Sequence, residues 1–377
     1  MNFGFTEEQE LLRQEVRKFL DASAPMEQVR KIAETPEGFS RELWKQMGEL
    51  GWLGLTIPEA HGGAGLGLVD LVVVLEETGR TLFPSPLLAT TLAASAIADA
   101  GSAAQQARWL PRLADGSAIG TIAVEEAGAA PEPAGVRLAG RRDGDGWRLE
   151  GEKVGVLDGA VADVLVVAFR TGPGADEVAL GLVERGAPGL TVESTPSIDL
   201  TRRVARVRCD GVRIAGDALL GAPGAGAQAL ARLFDRAAAL VTAETIGAAE
   251  GALRLTVDYA RERVQFGAPI GRFQGVKHPL AEMYVDVESF KSLLYYAAWC
   301  LDHGDPEAAR FVSMAKAYAG EAYARIGIDG VQLHGAVGYT WEYDIQLHLK
   351  RSKWARAAFG DPDHHYDRVA RLRAEAR

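Results

Sequence analysis

One segment in the carboxyl-terminal half concentrates groups that could hold an anion. The run YARERVQFGAPIGRFQGVKHPLAEM (259–283) carries the guanidinium of Arg263, the amides of Gln265 and Gln274, and the aromatic ring of Phe266. A guanidinium offers a planar fork of donors to paired anionic oxygens. The alternative is that the arginine and its charged neighbours form only a solvated helix end.

A second segment, QLHGAVG (332–338), has the composition of a tight loop between helices. Glycine allows the main chain to adopt positive φ and to approach a ligand closely. Gln332, Gly335 and Ala336 are therefore candidates for contact with a bound molecule. The alternative is a plain interhelical turn in which Thr340 caps the next helix.

Asp235 is the candidate acid–base residue, because it is the only acid in the apolar stretch 230–243. A carboxylate that is partly removed from water is a better base than a solvated one. The alternative is an ordinary ion pair with Arg236 at a helix terminus. Glu125 and Glu126 are weaker rivals in a β-rich stretch.

Composition excludes several classes of protein. The chain has 377 residues and a formal net charge of −10, whereas nucleic-acid binding favours a concentrated basic face. Two cysteines, Cys209 and Cys300, are too few for a disulfide framework or a four-thiolate metal site, so no metal site is predicted. The amino terminus lacks the pattern of a signal peptide, and no apolar run reaches the length of a bilayer span. We expect a cytoplasmic protein with no membrane span.

Hydrophobic periodicity divides the chain into three blocks. Residues 1–115 show helical spacing, beginning at a capping box formed by Thr6 and Gln9. Residues 116–220 hold short runs rich in Val, Ile and Leu between Gly, Asp and Pro turns, which predicts an antiparallel barrel or sandwich rather than a doubly wound sheet. Residues 221–377 predict four long helices with short connections, which is typical of a bundle.

The segments 259–283 and 332–338, together with TWEYDIQLHLKRSKW (340–354), resemble the acyl-CoA dehydrogenase family. The resemblance spans nearly the whole chain and includes the glycine-rich turn PEAHGGAGLG (58–67). It implies an α+β fold with an N-terminal helical domain, a central β-barrel and a C-terminal four-helix bundle. It also implies FAD as cofactor, desaturation of an acyl thioester such as acyl-CoA to the trans-2-enoyl thioester, and an electron-transferring flavoprotein as partner.

The resemblance assigns roles to both segments. In the family, the arginine of the R-x-Q-F-G element reaches the FAD pyrophosphate of the neighbouring subunit, and the glutamine–glycine loop contacts the same FAD near its adenosine half. The chain is therefore expected to form a homo- or hetero-oligomer, either a dimer or a tetramer. The cofactor contacts implied for this chain are Arg263, Gln265, Phe266, Gln274, Gln332, Gly335 and Ala336, the last replacing a glycine. Basic residues that could line the approach of CoA are Arg202, Arg203, Arg206, Arg272 and Lys277.

The chain departs from the family pattern at the base and at the flavin ring. The usual base position falls near Phe359-Gly360, where no carboxylate stands, so a second family position makes Asp235 the candidate although it is one methylene shorter than glutamate. Gly155 and Leu157 replace a tryptophan and a threonine that cover the flavin. We therefore expect an incomplete flavin cradle and a partner subunit that is a complete dehydrogenase. The alternatives are a flavin oxidase or monooxygenase of the same fold and a catalytically silent structural partner.

Overall fold

The computed structural model describes residues 5–222 and 224–375. Over this part of the chain, helices come first, a β-sheet follows, and a second helical domain ends the fold, which confirms the predicted α+β class and its order of domains. The first four residues belong to the segment used to argue against a signal peptide, and they lie outside the described part. Helix α6 ends at Ala114 and strand β8 at Leu220, and the predicted domain boundaries stay predictions.

The first domain is built of six helices in the described residues, and the first of them begins at the predicted capping box. The capping box at the start is present: Gln9 N–H donates to Thr6 Oγ1 at 3.2 Å, and Thr6 N–H donates to Gln9 Oε1 at 3.0 Å. A short helix that follows Pro25 was not among those predicted. The helices are α1 (Glu7–Ser23), α2 (Met26–Glu34), α3 (Arg41–Glu49), α4 (Leu68–Arg80), α5 (Leu87–Ala100) and α6 (Ala103–Ala114).

The central domain is one eight-stranded sheet with the strand order β6-β7-β3-β2-β4-β5-β8 and with β1 paired to β4. Its strands are β1 (Gly120–Ala123), β2 (Ala139–Asp143), β3 (Gly146–Leu157), β4 (Val164–Arg170), β5 (Val178–Glu184), β6 (Leu190–Thr195), β7 (Val204–Ile214) and β8 (Leu219–Leu220). The expected antiparallel pairing is found in five of the strand pairs described. It fails at two others, because β1 runs parallel to β4 and β2 meets β4 in parallel at one residue pair. Strand β3 has one extra residue opposite β7 between Lys153 and Val156, so Val154 and Gly155 form a bulge.

The last domain is a bundle of long helices with one hairpin. Its elements are α7 (Gly226–Glu262), β9 (Val264–Gln265), β10 (Ala268–Pro269), α8 (Gln274–Asp302), α9 (Ala308–His334), α10 (Ile345–Ala357) and α11 (Pro362–Glu375). Helix α11 is a fifth helix that the sequence analysis missed, because its run PDHHYDRVARLRAE has few apolar residues to mark a buried stripe.

Close helix packing joins the first domain to the bundle. A Cβ added to Gly247 of α7 would lie 1.7 Å from the carbonyl oxygen of Glu76 on α4, and one added to Gly79 would lie 2.1 Å from the carbonyl oxygen of Glu244. The two backbones can therefore touch only because glycine stands at both positions. One hydrophobic core continues through both helical domains, and a smaller core around Trp147 and Phe169 fills the sheet.

No helix in residues 5–222 and 224–375 is both long enough and apolar enough to cross a membrane.

Candidate functional site

The R-x-Q-F-G segment forms a hairpin that projects from the end of α7. Arg263 is the residue that ends the helix, and the two central residues of the hairpin turn, Phe266 and Gly267, both have positive φ (53° and 75°). Positive φ in both central residues is the pattern of a type I′ turn. A bulky residue at positive φ costs about 1–3 kcal/mol, yet 92% of the Phe266 surface is exposed. The chain itself therefore offers little packing to offset that strain.

The glutamine–glycine loop lies beside this hairpin. The ring of Tyr259, in the last turn of α7, stacks on the ring of His334 at the end of α9, with centroids 4.4 Å apart. Gly335 follows with φ 66°, and an added Cβ there would meet nothing within 4 Å. The two segments that the sequence analysis singled out are therefore brought to one end of the bundle.

His334 has a structural position in this loop. Its imidazole is buried and lies 2.7 Å, Nδ1 to O, from the carbonyl oxygen of Gly330, and burial lowers its pKa. Thr340 Oγ1 donates to the carbonyl oxygen of Val337 at 3.0 Å, so it closes the turn rather than capping a helix.

The predicted cofactor residues all lie at the surface of the protomer. Each one is exposed, and the Arg263 guanidinium makes no hydrogen bond or ion pair with another residue in the described part of the chain. We call these residues the outward face: Arg263, Gln265, Phe266, Gln274, Gln332, Gly335 and Ala336. An unpaired cation beside amides, an open glycine and an exposed ring suits an anionic, aromatic molecule that approaches from outside the protomer.

Asp235 is placed in an ion pair. Its carboxylate accepts a hydrogen bond from Arg368 of α11, which also donates to Ser313 Oγ at 3.0 Å. The neighbouring Arg236 pairs instead with Asp99 at 2.8 Å. A base at Asp235 would first have to leave Arg368, and its catalytic role stays a prediction.

Glu126 has a structural role. It forms an ion pair of 2.6 Å with the buried ammonium of Lys153, and it accepts the backbone N–H groups of Arg137 and Leu138 at 2.9 Å each. These contacts fix the segment that follows β1 to β3 and to the residues that precede β2.

Glu125 lies in a different environment, between β3 and the bundle. The backbone N–H of Phe359 donates to its carboxylate, and Oε2 lies 3.5 Å from the position that a Cβ on Gly155 would occupy. Burial raises the pKa of Glu125 to about 7. The two positions where the chain departs from the family pattern, Gly155 and Phe359, therefore flank one carboxylate.

The 359–360 turn is held from inside by a buried lysine. Lys316 Nζ donates to the carbonyl oxygens of Ala355 at 3.0 Å and Gly360 at 2.9 Å, and burial lowers the pKa of its ammonium to about 7. Phe359 and Gly360 both have positive φ (52° and 105°). His365 Nε2 lies 3.0 Å from the carbonyl oxygen of Phe359 and can donate to it.

Two arginines proposed for the approach of CoA are structural instead. The Arg202 guanidinium is buried in an ion pair with Glu244 of α7. Arg203 donates to the carbonyl oxygens of Ala33 and Thr35, each at 2.7 Å. These contacts tie the loop between β6 and β7 to both helical domains.

A second buried ion pair crosses the same junction. Arg351 of α10 is paired with Asp199, and both side chains are almost completely buried. Thr201 donates to the same aspartate from its N–H at 2.9 Å. None of these pairings was predicted.

Comparison with known proteins decides the family. The family model of the acyl-CoA dehydrogenase N-terminal domain matches residues 6–117, and that of the C-terminal domain matches residues 224–372. The chain is 35% identical over 371 residues to the acyl-CoA dehydrogenase IpdE2 of Mycolicibacterium smegmatis, covering 98% of this chain and 99% of that protein. The chain belongs to the acyl-CoA dehydrogenase family.

Two solved structures with two-component names share the whole fold. The ChsE4–ChsE5 complex of Mycobacterium tuberculosis matches with a TM-score of 0.91 and 31% identity, over 100% of this chain and 99% of that one. A variant of the Tcur3481–Tcur3483 steroid enzyme matches with a TM-score of 0.89 and 34% identity, over 98% of both chains. The fold, the family and the acyl-CoA dehydrogenase activity expected from the sequence are confirmed.

Acyl-CoA dehydrogenases are flavoproteins, and the two halves of the implied flavin site differ in this chain. The outward face supplies donors for a pyrophosphate and an exposed aromatic ring, so it fits the group. The expected cradle at β3 has no ring at Gly155, and the Leu157 side chain that replaces a hydroxyl is buried in the core. The residues of the outward face therefore fit a flavin, whereas those at the β3 position lack the ring and the hydroxyl expected there.

Proposed function

We propose that this chain is one subunit of an FAD-linked acyl-CoA dehydrogenase, in which its outward face binds FAD held by a partner subunit. The observation that carries the proposal is the exposed guanidinium of Arg263 on a strained hairpin, which no residue in 5–222 or 224–375 pairs. The strained backbone at Phe266 costs free energy of folding, and the exposed ring and the cation beside it gain little from the protomer itself. Contact with an external ligand or subunit would offset that cost.

The partner we propose is a different, complete dehydrogenase subunit. Gly155 provides no aromatic side chain to cover a flavin bound by this chain. Burying ~200 Å² of aromatic surface at ~25 cal/mol per Å² would contribute up to ~5 kcal/mol of binding free energy, and this contribution is absent. The usual base position holds Phe359-Gly360 instead of a carboxylate. The two solved relatives described above carry names of two components each, which supports a hetero-oligomer.

The chemistry proposed is the α,β-desaturation of an acyl-CoA or related acyl thioester. FAD supplies the hydride acceptor, and electrons then pass to an electron-transferring flavoprotein. The residues of this chain act on binding: Arg263 neutralises the pyrophosphate, and Gln265, Gln274 and Gln332 donate to its polar groups. We place the enzyme in lipid metabolism in the cytoplasm.

The test is to purify the full chain alone and together with a complete acyl-CoA dehydrogenase subunit encoded beside it. We expect the complex to be yellow, to contain FAD, and to bleach on addition of an acyl-CoA. We expect the lone chain to hold little flavin. Stoichiometric FAD in the lone chain would refute the division of labour, and a complex without FAD would refute the proposal.

A further inference from the structure

A small cavity lies at one end of the central sheet, far from both parts of the implied flavin site. Its volume is about 210 Å³, and its walls include residues of β2, β3, β5 and β8 and the first residue of α7. Trp147 lines the cavity from the start of β3, roughly 25 Å along the strand from Gly155. Gly226 begins α7 and Arg263 ends it, so the outward face lies about 55 Å away along the helix.

The walls of this cavity are mostly apolar. The apolar side chains of the two wall strands β5 and β8 are those of Val178, Ala179, Leu219 and Leu220. No carboxylate stands among the described residues that line the cavity, and Asp143 and Asp145 in the hairpin between β2 and β3 are paired with Arg148 and Arg213. Sites for drug-sized ligands measure about 300–1,000 Å³, so this cavity suits a smaller molecule with an apolar body.

One cation stands at the cavity. Arg142 of β2 is directly opposite Trp147 in the register of the hairpin, and its guanidinium carbon lies over the indole at 4.6 Å from the ring centroid. The side chain is exposed, and within residues 5–222 and 224–375 it forms no hydrogen bond or ion pair. The stack therefore holds a guanidinium beside the cavity while its N–H donors stay free for a ligand.

Trp147 supplies a second donor without a partner. Its side chain is 8% exposed and packs against Phe169, and its Nε1–H has no hydrogen-bond acceptor in the described part of the chain. Most buried polar groups in proteins are hydrogen-bonded, and leaving one unpaired costs about 1–3 kcal/mol. Because the indole lines the cavity, we infer that the missing acceptor is a group of a bound molecule.

The start of α7 adds to the positive potential of the cavity. Gly226 is one of the lining residues, and among the described residues no side chain caps this end of the 37-residue helix. The N-terminus of a helix carries partial positive charge and attracts anions. This end therefore supports the anion preference that Arg142 and Trp147 establish.

We propose that this cavity binds a small monocarboxylate with an apolar body. The carboxylate accepts hydrogen bonds from the guanidinium of Arg142 and the Nε1–H of Trp147, and the apolar body lies against Val178 and Leu220. One guanidinium balances the single charge of a carboxylate, whereas a phosphate monoester carries close to two charges, and burying an unbalanced charge is costly. The site uses no residue of the outward face, so it goes beyond the proposed function.

The experiment measures binding of hexanoate to the full chain by calorimetry, with hexanol and inorganic phosphate as comparison probes. Hexanol keeps the apolar body without the charge, and phosphate keeps the charge without the apolar body. In parallel, NMR of protein isotope-labelled at the indole nitrogens follows the Nε1–H resonances, and Trp147→Phe identifies that of Trp147. Arg142→Ala removes the guanidinium. Arg141→Ala is the matched control, because neighbouring residues of a strand lie on opposite faces and Arg141 is also exposed.

We expect hexanoate to bind wild type and Arg141→Ala with equal affinity and to shift the Trp147 resonance. Arg142→Ala should raise the dissociation constant by about 10-fold or more, and Trp147→Phe by about 3- to 10-fold. Arg142→Lys should fall between wild type and Arg142→Ala, since lysine keeps the charge but loses the planar fork.

Three results would overturn the inference: no binding of hexanoate to wild type, equal affinity in wild type and Arg142→Ala, or a Trp147 resonance that hexanoate leaves unmoved. Tighter binding of phosphate or hexanol than of hexanoate would overturn the ligand class. Each of these results leaves the proposed function intact, because FAD binding at the outward face is measured separately.

Discussion

Replacing Glu125 with glutamine should make the stability of the protein less sensitive to pH. The carboxyl has a pKa of about 7 in the folded chain and an ordinary value of 4.5 when exposed. Because the folded pKa is higher, the unfolded state ionises first as pH rises. The contribution of this carboxyl to stability is therefore fully present below about pH 4.5 and is lost as pH rises through about 7.

The size of the effect follows from the two pKa values. A shift of one unit corresponds to about 1.36 kcal/mol, and integration between about pH 5 and about pH 8 gives a loss of about 2–3 kcal/mol for this one group. Glutamine keeps an oxygen to accept the N–H of Phe359 but cannot ionise. Between about pH 5 and about pH 8, the free energy of unfolding should fall by about 2–3 kcal/mol less in the variant than in wild type.

The assay is urea denaturation followed by tryptophan fluorescence at both pH values. Glu76 and Asp158 also have pKa values raised to about 7 by burial, and they contribute equally to both proteins. The ammonium of Lys316 interacts with Glu125, so the difference measures Glu125 together with this interaction. Glu193→Gln, on the exposed face of β6, should follow wild type. Identical pH slopes for wild type and Glu125→Gln would show that the carboxyl is not held in the environment described here.

Two further substitutions test the junctions that position the site. Gly247→Ala places a Cβ 1.7 Å from the carbonyl oxygen of Glu76, so α4 and α7 must separate. We expect the free energy of unfolding to fall by about 2 kcal/mol or more. A melting temperature equal to that of wild type would contradict this packing. Asp199→Asn leaves Arg351 buried without its ion partner. We expect the free energy of unfolding, measured by urea denaturation, to fall by about 3–5 kcal/mol. A decrease below ~1 kcal/mol would show that water reaches the pair.

Local sequence patterns predicted the parts of the fold that depend on neighbours in the chain. The capping box of Thr6 and Gln9 is an example, because both its hydrogen bonds join residues three apart. The parallel pairing of β1 with β4 was not predictable in this way, because it joins Gly120 to Val164 across two intervening strands. Helix α11 was missed because it is mostly polar.

The candidate site shows the same difference between residues close in sequence, which were predicted, and distant residues brought together by packing, which were not. Arg263, Gln265 and Phe266 were found together because one short segment carries all three. The partner of Asp235 was missed because Arg368 lies 133 residues away on the helix that was not predicted. Glu125 was ranked low for a similar reason, since its neighbours Gly155 and Phe359 are brought beside it only by the packing of the sheet against the bundle.

The affinity of the purified complex for FAD, measured for the wild-type chain and for Arg263→Ala, tests the central claim most directly. We predict a dissociation constant about 10- to 100-fold higher for Arg263→Ala, which corresponds to the ~1.5–3 kcal/mol of a charged hydrogen bond. Arg263→Lys should fall between the two, since lysine keeps the charge but loses the planar fork. Arg232→Ala, an exposed position on α7, is the control and should match wild type. An unchanged FAD affinity in Arg263→Ala would contradict the claim that Arg263 binds the FAD of a partner subunit.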